Sequence, residues 1–359
     1  MYINQATQIV LYSYMIYSEN ISIYSIVLHL VGNKLNDEDI ILSHSLPDPD
    51  DTIRDLLTGY FLKPFKDEEY YNCYHESDLK YNEVFGYVSE IFRDPESLLI
   101  QSVNLARHLY EKSTHPKIKG GEFYTVYFRD CIMEGKMVDA VGLFKSENKD
   151  TFLKVFKAGD GFSLESDEGI NINKLDKGCI IFNTEKENGY VVAVVDNTNK
   201  GTEAQYWIDD FLHVQQRKDE FYNTQNLLSL CRNFVTKELP GQFDVSRADQ
   251  VDLLNRSVKF FKEKDNFDMQ EFTYEVMTQP EIIDSFNQFK SSYQKERDID
   301  ISDSFTISGS AVKKQARVFK SVIKLDKNFH IYIHGDRDLI EQGSDERGKF
   351  YKVYYKVET

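Results

Sequence analysis

Cysteine is scarce in this sequence, and its few copies lie far apart. The four cysteines occupy positions 73, 131, 179 and 231, and no two of them form a C-x-x-C pair. Disulfide frameworks and zinc fingers both depend on closely spaced cysteines, so this spacing argues against either. We expect reduced, mostly structural thiols in a cytoplasmic protein.

The sequence also lacks an apolar run long enough to cross a bilayer. A membrane span needs about 20 consecutive apolar residues. The apolar stretch 21–31 is shorter and contains Ser22, Ser25 and His29. The order of basic region, apolar core and small-residue cleavage site that marks a secretory signal is missing as well. We therefore expect a buried strand at 21–31 and no contact with a membrane.

Positive charge is in the minority. Lys and Arg number 43 against 59 Asp and Glu, which gives a formal net charge of −16. Such an acidic protein repels polyanions at long range, so general coating of nucleic acid is not expected. A local basic face is still compatible with this balance, because salt limits the reach of surface charge to about 10 Å.

Apolar and aromatic residues, in contrast, are plentiful. Hydrophobic residues make up 41% of the 359 positions and aromatic residues 14%, mostly Tyr and Phe. This supply is sufficient for two or three cores of ordinary domain size and argues against large-scale disorder. Tyr and Phe are also typical of strands and half-buried surfaces.

Hydrophobic periodicity predicts alternating strand-rich and helical stretches. In chain order these are strands in 5–45, helices in 50–64, 82–92 and 94–115, strands in 122–196, helices in 204–295 and strands in 304–359. The order predicts an α+β fold. It would contain N-terminal strands and helices, a central antiparallel sheet, a helical segment and a C-terminal three-stranded antiparallel unit. We divide the chain accordingly into an α+β domain at 1–200, a helical region at 201–300 and a C-terminal β unit at 301–359.

The local signals are clearest around the third helix and one hairpin. Asp94 is placed as a helix N-cap, with Pro95 at the first helical position and Glu96 at the positive end of the helix. Asn188 and Gly189 form a dipeptide that accepts positive φ at both turn positions, which predicts a hairpin there.

A family resemblance begins in that third helix. The run from Ser102 to Tyr110, SVNLARHLY, precedes Ile118 to Phe123, IKGGEF, and later comes Ala140 to Lys145, AVGLFK. Together they resemble the S-x-x-L-A-x-x-L-Y helix, the short GD start of a strand and the strand ending in Leu-Lys of the bacterial nucleoid-associated protein family of the NdpA type. Gly121–Glu122 takes the GD position. The resemblance continues in order to the C-terminal strands and implies a nucleoid-associated protein in a bacterial cytoplasm, with no catalytic or metal-binding residue to carry over.

The sharpest local feature is a basic strip near the C-terminus. Its six members are Lys313, Lys314, Arg317, Lys320, Lys324 and Lys327. Residues 301–359 carry a net charge of +3, so the first 300 residues carry −19. If the strip meets DNA phosphates, it provides affinity without sequence readout. The alternative is a solvated sheet edge whose lysines deter aggregation.

A second, smaller basic set surrounds the glycine pair at the start of the central sheet. Its members are Arg107, Lys112, Lys117 and Lys119. Lys117 and Lys119 precede Gly120–Gly121, whose backbone could approach an anion closely. The alternative is that these residues are cations at a helix C-terminus, where they interact favourably with the helix dipole.

Three further motifs imitate known chemistry. His334 to Asp338 offers metal ligands, His75 to Asp78 offers the residue types of a hydrolase triad, and Asp48 with Glu147 to Lys149 resembles a nuclease pattern of paired acids and a lysine. Each is short enough to arise by chance, and a triad is assembled in space, not from neighbouring letters. We predict no catalytic residue, no metal and no cofactor.

The leading hypothesis is therefore a non-enzymatic nucleoid-associated protein. It would bind double-stranded DNA weakly and without sequence preference, or reach the bacterial nucleoid through other nucleoid proteins. One alternative is an interaction scaffold without DNA contact, in which Phe286, Phe289 and Tyr293 of the helical region anchor a partner. The other is a metal-dependent nuclease, which only the acidic clusters support.

Overall fold

The computed structural model describes residues 21–66, 68–198, 206–317, 319, 322–325, 327–333 and 337–357. The strand predicted at 9–16 lies outside these residues. The chain forms two compact units, 1–217 and 218–359, and the division at 200 and 300 stays a prediction. Within the described ranges, no helix is long and apolar enough to cross a membrane.

The unit 1–217 is built on an eight-stranded sheet. The strands of this unit are, in chain order, β1 (Ser22–Val31), β2 (Ile40–Ile41), β3 (Tyr70–Cys73), β4 (Gly121–Met133), β5 (Lys136–Ser146), β6 (Asp150–Ala158), β7 (Gly161–Gly169), β8 (Lys177–Phe182), β9 (Val191–Asp196) and β10 (Val214–Gln216). Strands β6 and β7 form a separate hairpin, and the other eight form the sheet. The order in the sheet is β10-β3-β9-β8-β5-β4-β1-β2. Neighbouring strands pair antiparallel. The predicted central antiparallel sheet and the α+β class are confirmed.

Both faces of this sheet are buried, because side chains alternate along each strand. On β4, Tyr124 and Phe128 pack into one hydrophobic cluster with helix α1 (Asp51–Leu62). Phe123 and Tyr127 point the other way and join a second cluster. Helices α2 (Glu83–Arg93) and α3 (Leu98–Lys112) and a π-helical turn at Tyr206–Leu212 cover that second face.

Side-chain caps fix where these helices begin. Asp50 accepts a hydrogen bond from the backbone N–H of Ile53, and Asn82 caps α2 in the same way. Asp94 caps a short 3-10 turn, Pro95–Ser97, which leads directly into α3. The predicted signal at Asp94 and Pro95 is thus confirmed, since a polar cap satisfies backbone donors that have no partner inside the helix.

Helices dominate the first part of the unit 218–359. They are α4 (Glu220–Asn233), α5 (Leu239–Gln242), α6 (Arg247–Glu263), α7 (Met269–Phe272) and α8 (Pro280–Arg297), with π-helical turns at Phe234–Glu238 and Thr273–Met277. A two-stranded sheet pairs β11 (Asn266–Asp268) with β12 (Ser304–Thr306). The core is rich in aromatic rings, and Phe234, Phe267, Phe272 and Phe286 are fully buried in it.

The C-terminal stretch departs from the prediction of strands throughout. Residues Gly309–Ala316 form helix α9, because Ser308 caps it and the buried Ala311 and Val312 anchor it. The strands that follow are β13 (Val322–Leu325), β14 (Phe329–Tyr332), β15 (Ile340–Asp345) and β16 (Gly348–Val353). Within the described residues they pair as two separate hairpins. The predicted three-stranded unit was therefore wrong, because the polar stretch up to residue 348 was interpreted as a single loop, and it contains β15.

Candidate nucleic-acid interface and a buried ionic network

The basic strip is distributed over a helix end and a hairpin. Lys313 and Lys314 lie in the last turn of α9, and Arg317 follows it. Cations at this position interact favourably with the helix dipole. Lys313 and Arg317 are exposed, whereas Lys314 is half-buried, with its ammonium 5.3 Å from the centre of the Phe221 ring. The prediction of strands from residue 304 onward was wrong here, because this part of the sequence forms a helix.

The remaining members of the strip lie on the β13–β14 hairpin. Lys324 faces outward on β13, since its neighbour Ile323 is buried on the opposite side. Lys327 is exposed in the turn. No carboxylate of the described residues forms an ion pair with Arg317, Lys324 or Lys327. Lys320 lies outside the described part of the chain, as does Asp326.

The strand register adds two residues that sequence reasoning missed. Lys324 pairs with His330 and Val322 pairs with Tyr332, so these four share the outward face of the hairpin. His330 is exposed and Tyr332 has 68% of its surface exposed. The alternation in NFHIYIH already placed His330 and Tyr332 on one face. A cation beside an exposed tyrosine is an arrangement that can contact backbone phosphates, the lysine by its charge and the phenol by a hydrogen bond.

The second basic set is only partly brought together. Arg107 is exposed on α3 and Lys112 is half-buried in its last turn. Lys117 and Lys119 instead line a small cavity of about 90 Å³ in the unit 1–217. The side chain of Lys119 donates a 2.7 Å hydrogen bond to the Asn148 side chain.

The structure gives a reason for glycine at position 121 that differs from the predicted close approach of an anion. A Cβ at this position would come within 1.8 Å of the backbone oxygen of Ser146. The absence of a side chain therefore lets β4 approach β5 closely, as a glycine in a strand often does. The close backbone approach that the structure shows at Gly121 is to a neighbouring strand, and the anion contact stays a prediction.

Beneath the cavity lies a buried ionic network that the sequence did not reveal. Lys145, at the end of β5, is fully buried. Its ammonium lies 3.1 Å from the Glu147 carboxylate and donates hydrogen bonds to the Lys119 carbonyl, at 2.7 Å, and to the Tyr206 hydroxyl, at 3.1 Å. Tyr206 in turn donates to Glu147 at 2.7 Å. A buried charge needs such partners, because isolated burial is very costly.

A second buried lysine extends the network. Lys177, at the start of β8, is 1% exposed and donates to both carboxylate oxygens of Asp196, at 2.8 and 2.9 Å. Its ammonium lies 4.0 Å from Glu147, which links the two ion pairs. Asp176 accepts backbone hydrogen bonds from Glu147 and Asn148 and so fixes the loop that carries the first carboxylate.

Burial sets the protonation behaviour of this network. It lowers the pKa of Lys145, and the neighbouring Glu147 opposes that effect. Burial also raises the pKa of the Tyr206 phenol well above its ordinary value, so the ring stays neutral and acts as a hydrogen-bond donor. Each buried ammonium already has a carboxylate partner. The exposed rim, with Lys117 and Lys119, is the part of the cavity that an anion could reach.

Described residues of two of the three weaker motifs are held in ion pairs with other parts of the fold. The side chain of Arg337 binds the Asp249 carboxylate at 2.7 Å, while His334 and Asp336 lie outside the described residues. Asp48 forms an ion pair with Arg54 at 3.0 Å. Glu147, the other half of the imitated nuclease pattern, is held inside the buried network. Among the described residues, no group of three or more His, Cys, Asp or Glu could hold a metal ion.

The proposed aromatic anchors of the helical region are part of a core. Phe286 is fully buried and Tyr293 is 5% exposed. Phe289 packs against the same cluster, and its ring centre lies 5.7 Å from that of Phe234. These three residues therefore stabilise the unit 218–359 and do not offer a surface to a partner.

Comparison with known proteins gives the family. A family model described as nucleoid-associated protein YejK matches residues 27–348. A search of curated individual proteins finds no match. The matched range includes the basic strip, the buried network and most of both units, and the resemblance to the NdpA type is confirmed. Because the match covers nearly the whole sequence, this chain belongs to the YejK family of nucleoid-associated proteins.

Proposed function

We propose that this protein associates with the bacterial nucleoid by binding duplex DNA weakly and without sequence preference, and that it does so without enzymatic activity. The contact would be made by the phosphate-facing cations at the end of α9 and on the β13–β14 hairpin. The family supports the nucleoid role. The observation that carries the DNA contact is the outward hairpin face, where Lys324 lies beside the exposed Tyr332.

The charge distribution fits a weak and local contact. The first 300 residues carry −19, which disfavours spreading along DNA, whereas residues 301–359 carry +3. Four exposed cations of the strip, Lys313, Arg317, Lys324 and Lys327, can each displace a counterion from DNA. The association constant would then fall with a log–log salt slope near −3.6, which is about 150-fold between 50 and 200 mM salt.

The test is duplex binding by fluorescence anisotropy across that salt range. The variant R317E/K324E/K327E removes three of the four contacts, so its salt slope should become shallower, from about −3.6 to about −0.9. The matched control, K136E/K186E/K237E, reverses three exposed lysines elsewhere and changes the net charge equally. It should keep the steep salt slope and lose affinity by the same factor at every salt concentration.

Three results would contradict the proposal. Equal losses in both variants would show that only net charge matters. Unchanged binding in R317E/K324E/K327E would remove these residues from the interface. A wild-type protein that binds no duplex even at low salt would favour recruitment through another nucleoid protein.

A further inference from the structure

The β6–β7 hairpin has an apolar face that no other described part of the chain covers. The hairpin spans Asp150–Gly169 and pairs with no other strand of the described residues. Every residue of β6 is exposed. Soluble monomers rarely leave several large apolar side chains together in solvent, so such a surface indicates a binding partner.

The strand register separates the two faces of the hairpin. Directly opposed residues share a face, which gives four rows from base to tip: Thr151 with Glu168, Leu153 with Ser166, Val155 with Leu164, and Lys157 with Phe162. We call this the apolar hairpin face. Its Leu153, Val155, Leu164 and Phe162 are 69%, 62%, 67% and 80% exposed. The opposite face is more polar, and there Lys154 pairs with Asp167 at 2.6 Å and lies over the Phe152 ring.

We propose that this face binds a second copy of the same chain, with the two hairpins packed face to face and antiparallel about a two-fold axis. The charges along the face support this occupant. Lys157 lies near the tip and Glu168 at the base, in rows about 20 Å apart. An antiparallel pair places the row of each Lys157 opposite the partner's row of Thr151 and Glu168, twice by symmetry, so each ammonium lies diagonally across from a carboxylate.

The other arrangements fit less well. A parallel pair would oppose lysine to lysine and glutamate to glutamate. DNA is disfavoured because the hairpin contains two lysines and five acidic residues, a net charge of −3.

The size of the face sets the strength of the association. Four apolar side chains at this exposure contribute on the order of 400 Å² per copy, at roughly 100 Å² each. With the flanking polar residues, the two copies would bury about 1,000 Å² in total, which is the lower end for specific interfaces. A reversible dimer with a micromolar dissociation constant is therefore expected.

Sedimentation equilibrium of the full chain tests the face itself. The wild type should form dimers in the micromolar range, and V155D/L164D should be monomeric. The control F156D/S163D places the same two aspartates on the opposite face and should still dimerise. All four positions are exposed or half-buried in solvent-facing strands, and the fluorescence of the buried Trp207 reports that each variant remains folded.

Charge exchange tests the antiparallel arrangement. K157E and E168K should each weaken the dimer several-fold, and the double variant K157E/E168K should restore it. Introduced cysteines provide an independent readout, because the four native cysteines are all buried. A mixture of K157C and E168C chains should be joined by a bismaleimide cross-linker with a reach of about 10 Å, the spacing of stacked sheets, whereas either variant alone should not.

Several outcomes would overturn the proposal. A wild type that stays monomeric up to about 200 µM, well above the expected dissociation constant, would exclude the dimer. A dimer that survives V155D/L164D would place the interface elsewhere. Cross-linking of K157C alone would replace the antiparallel pair with a parallel one. Loss of DNA binding in V155D/L164D, without a change in oligomeric state, would assign the face to DNA.

Discussion

Replacing Lys145 with Met should destabilise the unit 1–217 strongly, although methionine is apolar and similar in length. The ammonium is fully buried, and its removal leaves the Glu147 carboxylate, 5% exposed, without its closest cation. Breaking a buried ion pair in this way costs about 3–5 kcal/mol. We expect the lower end, about 3 kcal/mol, because Tyr206 still donates to the carboxylate and Lys177 lies 4.0 Å away.

A double-mutant cycle separates the pair from its surroundings. Glu147→Leu alone should cost a similar amount, since it leaves the Lys145 ammonium without its carboxylate. The double variant K145M/E147L removes both charges, and an apolar pair of similar volume is often neutral or stabilising. Tyr206 then loses an acceptor, which costs about 1–2 kcal/mol. The coupling energy between the two positions should therefore exceed about 2 kcal/mol.

Urea unfolding followed by tryptophan fluorescence measures these free energies. The chain has one tryptophan, Trp207, and it is fully buried in the unit 1–217, so the signal reports on that unit. The transition midpoint should shift while its slope stays constant. A K145M variant that loses less than about 1 kcal/mol would show that this lysine contributes as a surface ion pair does, and the account of the network would then be wrong.

Three further predictions use the same unfolding assay. Burial lowers the pKa of His29 to about 4, and its Nδ1 accepts a hydrogen bond from the Ser43 backbone at 3.1 Å. The folded state therefore favours the neutral ring. The free energy of unfolding should keep its full value above pH ~6.5 and fall by about 3 kcal/mol as the pH drops to ~4. The variant H29Q should lack this contribution. Asn82→Ala should lower the free energy of unfolding by about 2–3 kcal/mol, because the Asn82 side chain donates to three backbone carbonyls and caps the next helix. A change within the error of the assay would contradict those contacts. Gly189→Ala should cost about 2 kcal/mol or more, since φ is +93° and a Cβ would lie 2.2 Å from the Cys73 carbonyl oxygen; an unchanged midpoint would refute this.

The elements that the sequence predicted well are those whose signals are local. The buried strand predicted at 21–31 lies at Ser22–Val31. The helical stretch predicted at 204–295 contains helix α6, Arg247–Glu263, which Ser246 caps. Caps, turns and period-two alternation act over a few residues, so they can be read without knowing the fold.

Helix α9 shows where local patterns fail. The segment after residue 304 was assigned to strands because β-branched and aromatic residues recur there. Ser308 and the run Gly309–Ala316 carry their own helix signals, a cap followed by alanine, lysine and glutamine. These signals were outweighed by the neighbouring strand pattern. This matters for function, because Lys313 and Lys324 belong to different elements, a helix and a strand.

The buried network shows a second limit of prediction from sequence, which is that long-range contacts leave no local signal. Lys145 stands at the end of an otherwise apolar strand, and this is the one signal in the sequence that it could be buried. Its partners come from positions 119, 147 and 206. Contacts over such sequence distances depend on the tertiary fold, so spacing along the chain could not have identified them.

The two proposed surfaces together make a prediction about DNA length. If two chains pair through the apolar hairpin face, each assembly carries two copies of the Lys324 and Tyr332 face. Binding at the second face then becomes intramolecular, and avidity rises by about 10²–10⁴ where both faces reach the same duplex. A duplex too short for two faces should bind V155D/L164D and the equally charged F156D/S163D with the same affinity, while a long duplex should bind F156D/S163D more tightly. Equal affinities on long DNA would show that the dimer does not present both faces to one duplex, even if each surface functions by itself.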